Sequence, residues 1–226
     1  MSDTRSEPTN GPAAGKTLVL IVEDQRAISD ALTLAIDSQP DLECVGAAGT
    51  IDEALKALTG RAPDVVLMDV HLPGTDGIDG TIRLKAICPG TRVVMLTADD
   101  DPAVMARAAE AGAAGFLLKY SSLKDVLAAI REAREGGMLV GAATLSAVMA
   151  RVTRTEAKAS PPHNLTPREL EILGMLAGGL DARAIAKTLT LSLHTVRGHV
   201  KSVLAKMEVH SQLEAVVAAT RRGIIA

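Results

Sequence analysis

The sequence has few cysteines and no long apolar run, and each absence excludes a class of protein. Among its 226 residues only Cys44 and Cys88 are cysteines, and neither has a C-x-x-C partner or a histidine companion. This pattern indicates reduced core residues of a cytosolic protein and argues against a disulfide framework or a cysteine metal site. No apolar run approaches the ~20 residues that a membrane-spanning helix needs.

The first residues also lack the features of a secretory signal. Residues 1–15 are rich in Ser, Thr, Pro, Gly and Asn, and they contain neither the basic nor the apolar segment of a signal peptide. We therefore expect a disordered leader over residues 1–15 and a soluble, cytoplasmic protein.

Charge is distributed unevenly along the chain, although the net charge is only −3. Residues 16–150 carry 12 basic and 19 acidic side chains, whereas residues 151–226 carry 11 basic and 6 acidic ones. The length and the 47% apolar content suffice for two domains, and the residue pattern changes near residue 155. A basic C-terminal domain is typical of nucleic-acid binding, but its cations could also form a scattered solvated surface.

Short apolar runs alternate with segments of helical periodicity over residues 16–137. The runs are rich in β-branched residues and end at turns, as the buried strands of a parallel sheet do. Five such strands alternating with five helices predict a doubly wound, five-stranded parallel sheet. The predicted strands cover residues 17–22, 42–47, 65–69, 92–97 and 114–118.

Four of these strands end in polar side chains. Glu23 and Asp24 follow the first strand, Asp69 ends the third, Thr97 ends the fourth, and Lys119 follows the fifth. Because the C-terminal ends of parallel strands lie at one edge of a sheet, we expect these side chains to converge there.

Such a cluster permits phosphoryl chemistry. Three carboxylates in a small space repel one another unless a hard cation joins them, and Mg²⁺ suits such a site. With the metal bound, Asp69 could attack phosphorus, while Lys119 and Thr97 stabilise the phosphoryl oxygens. The alternative is that Lys119 merely pairs with a buried Asp, which we disfavour because one lysine cannot compensate three carboxylates.

On these residues, segment 17–135 resembles the receiver domain of a two-component response regulator, which has a flavodoxin-like fold. The resemblance implies that Glu23 and Asp24 form the metal-binding acidic pair and that Asp69 is the phosphoacceptor and a further ligand. It also implies that the backbone carbonyl of His71 completes the protein ligands of Mg²⁺.

The same resemblance assigns three residues to the switch. Thr97 corresponds to the switch hydroxyl, Phe116 to the switch aromatic, and Lys119 to the lysine of the receiver pattern. A sensor histidine kinase is the implied phosphodonor.

A linker with a helix follows this segment. Residues 142–152 have helical spacing, and residues 153–164 are polar and contain Pro161-Pro162. We interpret residues 138–163 as a linker that lets two domains move relative to each other.

Residues 164–226 predict a small all-α domain of four helices. The segment Thr166-Pro167-Arg168-Glu169 forms a capping box, and Asp181, Ser192 and Ser211 are positioned to cap the following helices. Two short helices joined by a tight turn before Ser192 are typical of a helix-turn-helix.

The third of these helices carries a basic surface. Arg197 and Lys201 are four residues apart and share a face, as a helix that reads the major groove requires. An exposed cationic helix is the alternative, and the coincidence of cap, turn and basic face weighs against it.

Residues 165–225 resemble a LuxR-type DNA-binding domain. The resemblance implies that Arg197, Gly198 and Lys201 face the bases, and that Thr195 and Arg168 contact phosphate or serve as scaffold. The chain departs from the family at Gly198, where a bulkier residue is usual. It also departs at Gln212, where a basic residue is frequent.

Together the two segments resemble the NarL/FixJ class of response regulator, which implies phosphorylation of Asp69, a homodimer and control of transcription on double-stranded DNA. RNA polymerase is a further implied partner, and we expect that the protein is not an enzyme. A regulator that responds to a ligand or a partner without phosphorylation is an alternative. A Mg²⁺-dependent phosphatase is a weaker one, because His71 and not a carboxylate occupies the second place after Asp69.

Overall fold

A computed structural model describes residues 15–58, 61–98, 100–152 and 164–225. The predicted leader, except for residue 15, lies outside these ranges. The proline-containing part of the predicted linker, residues 153–163, also lies outside them.

The predicted parallel sheet is confirmed in the described part of the chain. Its strands are β1 (Thr17–Val22), β2 (Leu42–Ala48), β3 (Val65–Asp69), β4 (Arg92–Thr97) and β5 (Gly115–Leu118). All neighbours are parallel, in the order β2-β1-β3-β4-β5. The register pairs Val22 with Met68, Asp69 with Leu96, and Thr97 with Leu118, so four strands end together at one edge.

Helices cover both faces of the sheet, because successive side chains of each strand point to opposite sides. Val65 and Leu67 of β3 pack on one side with the first and fifth helices, and Val66 and Met68 pack on the other with the second, third and fourth. The helices are α1 (Arg26–Asp37), α2 (Ile51–Ala57), α3 (Gly77–Ile87), α4 (Pro102–Glu110) and α5 (Leu123–Arg134).

The rest of the described chain is helical: α6 (Ala142–Val152), α7 (Pro167–Ala177), α8 (Ala182–Thr188), α9 (Leu193–Met207) and α10 (Gln212–Arg221). The predicted caps are confirmed, since Asp181, Ser192 and Ser211 each accept a backbone hydrogen bond, and Thr166 forms a capping box with Glu169. None of the helices in the described ranges has the length and apolar character needed to cross a bilayer.

The helical part of the predicted linker is packed and not free. Leu145, Val148 and Val152 of α6 are buried in an apolar cluster that also contains Met105 of α4 and residues of α7 to α10. Just before α6, Leu139 pairs with Gly115 at the outer edge of β5. The apolar face of α6 is thus buried between the sheet domain and the helical domain.

Candidate functional site

Asp69 sits at the C-terminal end of β3 with its side chain only 1% exposed. Its Oδ1 accepts a hydrogen bond from the backbone N–H of His71 at 3.0 Å. The strand ladder and this turn together fix one carboxylate oxygen and leave Oδ2 directed at other side chains.

Lys119 joins the carboxylates, as the convergence of strand ends predicts. Its Nζ donates to Asp69 Oδ2 at 2.8 Å and to Glu23 Oε1 at 3.0 Å. Its backbone N–H donates to the carbonyl of Thr97 at 2.8 Å, which ties the ends of β4 and β5 together. The ammonium is therefore held between two buried acids, which attract a cation strongly in a low-dielectric site.

Glu23 is a buried carboxylate of this cluster whose pKa departs from its ordinary value. Burial raises the pKa of Glu23, and the nearby Asp69 carboxylate raises it further, although Lys119 and the N–H of Gln25 oppose both effects. Glu23 Oε2 is buried and accepts no hydrogen bond of acceptable geometry from the described residues, even though Lys119 Nζ lies 2.8 Å away. Burial alone would lower the pKa of Lys119, but its hydrogen bonds to Asp69 and Glu23 outweigh burial and raise it.

The acidic residues fit a divalent cation. Glu23, Asp24 and Asp69 can each offer a carboxylate oxygen, and these atoms lie within 4.8 Å of one another. Glu23 Oε2 is close to Lys119 Nζ but accepts no hydrogen bond of good geometry from the described residues, and Asp24 is exposed to solvent. A hard cation that keeps water ligands, such as Mg²⁺, would bind the Glu23 oxygen and would accept the Asp24 carboxylate as a further ligand.

Thr97 and Phe116, the two predicted switch residues, lie at the end of β4 and within β5. Thr97 ends β4 and is 2% exposed. Phe116 is aligned with Met95 of β4 and packs against both the core of the sheet domain and the apolar cluster around α6. Its backbone N–H donates to the carbonyl of Leu139, so the aromatic residue is bonded directly to the chain that leads into α6.

The predicted DNA-contacting residues of α9 form one exposed surface. Thr195, Arg197, Gly198 and Lys201 are all exposed, and Val196, Val200 and Val203 are buried on the opposite side. Arg168 is held by Glu171 at 2.6 Å and also reaches the carbonyl of Leu189 at 3.4 Å, which favours the scaffold role for this residue.

Arg197 makes a contact that the sequence did not indicate. Its guanidinium pairs with the carboxylate of Glu135, just after α5. This ion pair connects the helix predicted to read DNA with the sheet domain.

Glu169 has a second role beyond its capping box. The carboxylate is buried, and it accepts hydrogen bonds from Ser202 Oγ at 2.6 Å, Lys206 Nζ at 2.7 Å and Thr166 N at 2.7 Å. Burial by itself raises the pKa of Glu169, but these donors outweigh burial and lower the pKa to about 2. The four-residue spacing of Ser202 and Lys206 is the sequence signal that could have indicated this contact with Glu169.

Comparison with known proteins agrees with this architecture. Residues 19–131 match the response regulator receiver domain, and residues 163–219 match the bacterial regulatory proteins of the luxR family. The transcriptional regulatory protein LiaR of Bacillus subtilis is 31% identical over 207 residues, which cover 92% of this chain and 98% of LiaR.

Two solved structures share the fold. The receiver domain of a response regulator called NarL from Mycobacterium tuberculosis is 30% identical, with a TM-score of 0.52 over 54% of this chain and 99% of that one. The RcsB response regulator of Salmonella typhimurium covers 90% of this chain and 97% of its own at a TM-score of 0.53, and at 21% identity it shows the fold alone. The chain belongs to the two-component response regulators, with a receiver domain followed by a LuxR-type DNA-binding domain, and it is a phosphorylation-controlled transcriptional regulator.

Proposed function

We propose that Asp69 accepts a phosphoryl group from a sensor histidine kinase and that this modification changes dimerisation and promoter binding. The observation that carries the proposal is the buried pair of Asp69 and Glu23 joined by Lys119 at the end of the sheet. An Asp69 oxygen attacks phosphorus, the bond from phosphorus to the kinase imidazole breaks, and that nitrogen keeps the electron pair.

Glu23, Asp24, Asp69 and the carbonyl of His71 are the groups that would hold Mg²⁺, and the bound ion would neutralise charge on the phosphoryl oxygens. Lys119 Nζ, which now bonds Asp69 Oδ2, keeps its place and pairs with a phosphoryl oxygen instead.

Phosphorylation of Asp69 affects the rest of the molecule through residues of β4 and β5. The Thr97 hydroxyl donates to a phosphoryl oxygen, and Phe116 moves inward behind it. Phe116 contacts the apolar cluster that includes α6, so its movement reshapes the surface shared by α4, α6 and the DNA-binding domain. This favours a homodimer whose two α9 helices read paired half-sites, with Arg197, Gly198 and Lys201 at the bases, Thr195 at the backbone and Arg168 as scaffold.

We propose that the chain is a cytoplasmic regulator with RNA polymerase as a further partner, and that it is not an enzyme with turnover. The position two residues after Asp69 is His71, and a phosphatase of this nucleophile type would use a carboxylate there. Repeated release of product from a chromogenic phosphate ester, abolished in Asp69→Asn, would contradict this conclusion.

The test is phosphorylation of full-length protein by acetyl phosphate with Mg²⁺, followed by mass mapping. We expect the wild type to gain one phosphoryl group on the peptide containing Asp69, and Asp69→Asn to gain none. Asp52→Asn is the matched control, because Asp52 pairs with Arg83 at the surface. Equal phosphorylation of all three proteins would contradict the proposal.

A further inference from the structure

Gly198 lies at the centre of the exposed face of α9. Val196 and Val200, which are buried, stand two residues to either side of it and therefore about 160° round the helix from it. Gly198 is exposed, and a Cβ atom added to it would meet nothing within 4 Å. The face of α9 that points away from the core of its domain thus has no side chain at its midpoint.

The fold itself does not require glycine at this position. Gly198 is not among the glycines with positive φ, and its surroundings leave room for a side chain. In the interior of a helix glycine is destabilising relative to alanine, because it loses more conformational freedom on folding. The missing side chain therefore costs helix stability, and it changes the exposed face of α9 and not the packing of the core.

The two cations of this face are spaced to leave a base pair between them. Arg197 and Lys201 are four residues apart, about 6 Å along the helix axis, which is close to the ~6.8 Å of two base-pair steps. Of the three residues between them, Gly198 is exposed, His199 is half-buried and Val200 is buried. When Arg197 and Lys201 each contact a base pair in the major groove, the base pair between those two faces Gly198.

Selection of a base requires a side chain. In the major groove a base pair is distinguished by hydrogen bonds to its edge, such as those from Arg or Lys to guanine, or by apolar contact with the thymine methyl group. Gly198 offers neither, and its backbone N–H and carbonyl lie inside α9, where the helix hydrogen bonds use them. The base pair that faces Gly198 is therefore left without direct readout.

We propose that the half-site recognised by α9 is gapped: between the base pairs that Arg197 and Lys201 select, it contains one base pair at which all four bases are accepted. Gly198 is then a specificity-determining residue, because its missing side chain widens the set of operators that one protein binds. The proposal rests on the DNA-binding part of the proposed function and not on phosphorylation of Asp69.

The test is selection of duplexes from a random pool by full-length wild type treated with acetyl phosphate, followed by sequencing. Arg197→Ala and Lys201→Ala should each abolish the base preference at one position of the half-site. We expect the wild type to show near-equal base frequencies at the position between these two. The most frequent sequence defines the selected duplex, and exchange of the base at the gap should change its affinity by less than about 2-fold, since no base edge is bonded there.

Gly198→Asn should fill the gap, because asparagine forms two hydrogen bonds with the edge of adenine. Adenine should then be preferred at the former gap by about 10-fold in affinity, and the preferences at the flanking positions should stay. Gly198→Arg, with a longer side chain, should select guanine there. Neither variant should lower the thermal unfolding midpoint, because both residues are better helix formers than glycine.

Gly174→Asn is the matched control. Gly174 is also exposed inside a helix, with nothing within 4 Å of an added Cβ, but it belongs to α7 and not to α9. This variant should select the same gapped half-site as the wild type.

A wild-type half-site with a preferred base at the position between those of Arg197 and Lys201 would overturn the gap. An unread position that neither Gly198→Asn nor Gly198→Arg converts into a selected one would also overturn it. If no form of the treated protein binds duplex DNA, the DNA-binding part of the proposed function fails and the gap falls with it.

Discussion

Two buried glutamates, one in each domain, are each paired with a lysine and yet have opposite properties. Glu23 lies beside Lys119 in the receiver domain, and its pKa is raised from its ordinary value. Glu169 lies beside Lys206 in the DNA-binding domain, and its pKa is lowered to about 2.

The difference lies in how completely each carboxylate is satisfied. Both oxygens of Glu169 accept hydrogen bonds, and no second acid adjoins it in the contacts of the described chain. Glu23 Oε2 has Lys119 Nζ at 2.8 Å but accepts no hydrogen bond of good geometry in the described chain, and Asp69 is a second acid beside it. The hydrogen bonds of Glu169 fix helices to each other, whereas a carboxylate with an unfilled acceptor oxygen, such as Glu23, can still bind a cation.

Removal of Lys119 should have the largest effect. Without Mg²⁺, Lys119→Ala leaves two buried carboxylates without their cation, and we expect the free energy of unfolding to fall by about 3 kcal/mol. Added Mg²⁺ should restore part of the loss. Denaturant unfolding with and without Mg²⁺ measures the loss of stability and its recovery. Lys124→Ala is the control, because Lys124 is exposed. Equal free energies of unfolding for the two variants would contradict a stabilising role of Lys119 between the carboxylates.

Mg²⁺ should stabilise the wild type by about 2.7 kcal/mol at 100 times its dissociation constant. Glu23→Gln should lose most of this increment, because it removes a ligand charge, and Glu169→Gln should keep all of it. Thermal unfolding across a Mg²⁺ titration gives the comparison. An equal loss of the increment in both variants would contradict the assignment of the cation to the receiver domain.

Glu169→Gln should destabilise the DNA-binding domain by about 2 kcal/mol, since charge-assisted hydrogen bonds from Ser202 and Lys206 are lost. These bonds tie α7 to α9, so affinity for duplex DNA should fall as well. Chemical unfolding and a binding titration measure the two effects. Glu171→Gln is the control, because Glu171 pairs with Arg168 at the surface.

Lowering the pH should remove the contribution of Glu169 to the free energy of unfolding. Since its folded pKa is lowered from 4.5 to about 2, the contribution is complete above pH 4.5 and is lost as the pH falls through about 2. The stability difference between wild type and Glu169→Gln should therefore shrink over this interval and stay constant from pH 5 to 7. A difference that shrinks already between pH 7 and 5 would show that Glu169 is not held in its charged form.

The smallest effect is expected where charges pair without burial. Arg61 and Glu43 meet at 3.1 Å with 63% and 41% of their side chains exposed, so Arg61→Ala should change the unfolding free energy by less than about 0.5 kcal/mol. If Arg61→Ala and Lys119→Ala lower the free energy of unfolding equally, burial does not explain the difference between exposed and buried ion pairs.

The sequence predicts those features that depend on local pattern. Strand runs, helix caps and the polar residues after Val22, Leu96 and Leu118 were readable, because periodicity and the parallel sheet bring strand ends together. Two contacts could not be predicted from the sequence: Arg197 with Glu135, and Gln212 with Gly136. Each joins elements far apart in the chain, and its partners carry no periodicity that relates them. The packing of α6 also escaped prediction, since an apolar stripe does not reveal which surface covers it.

The central claim is that a phosphoryl group on Asp69 controls DNA binding, and one titration tests it most directly. The affinity of wild type and of Asp69→Asn for the selected duplex is measured with Mg²⁺, before and after treatment with acetyl phosphate. We predict that treatment increases the affinity of the wild type and leaves Asp69→Asn unchanged. An equal increase in both proteins, or no increase in a wild type shown by mass to be phosphorylated, would contradict the claim.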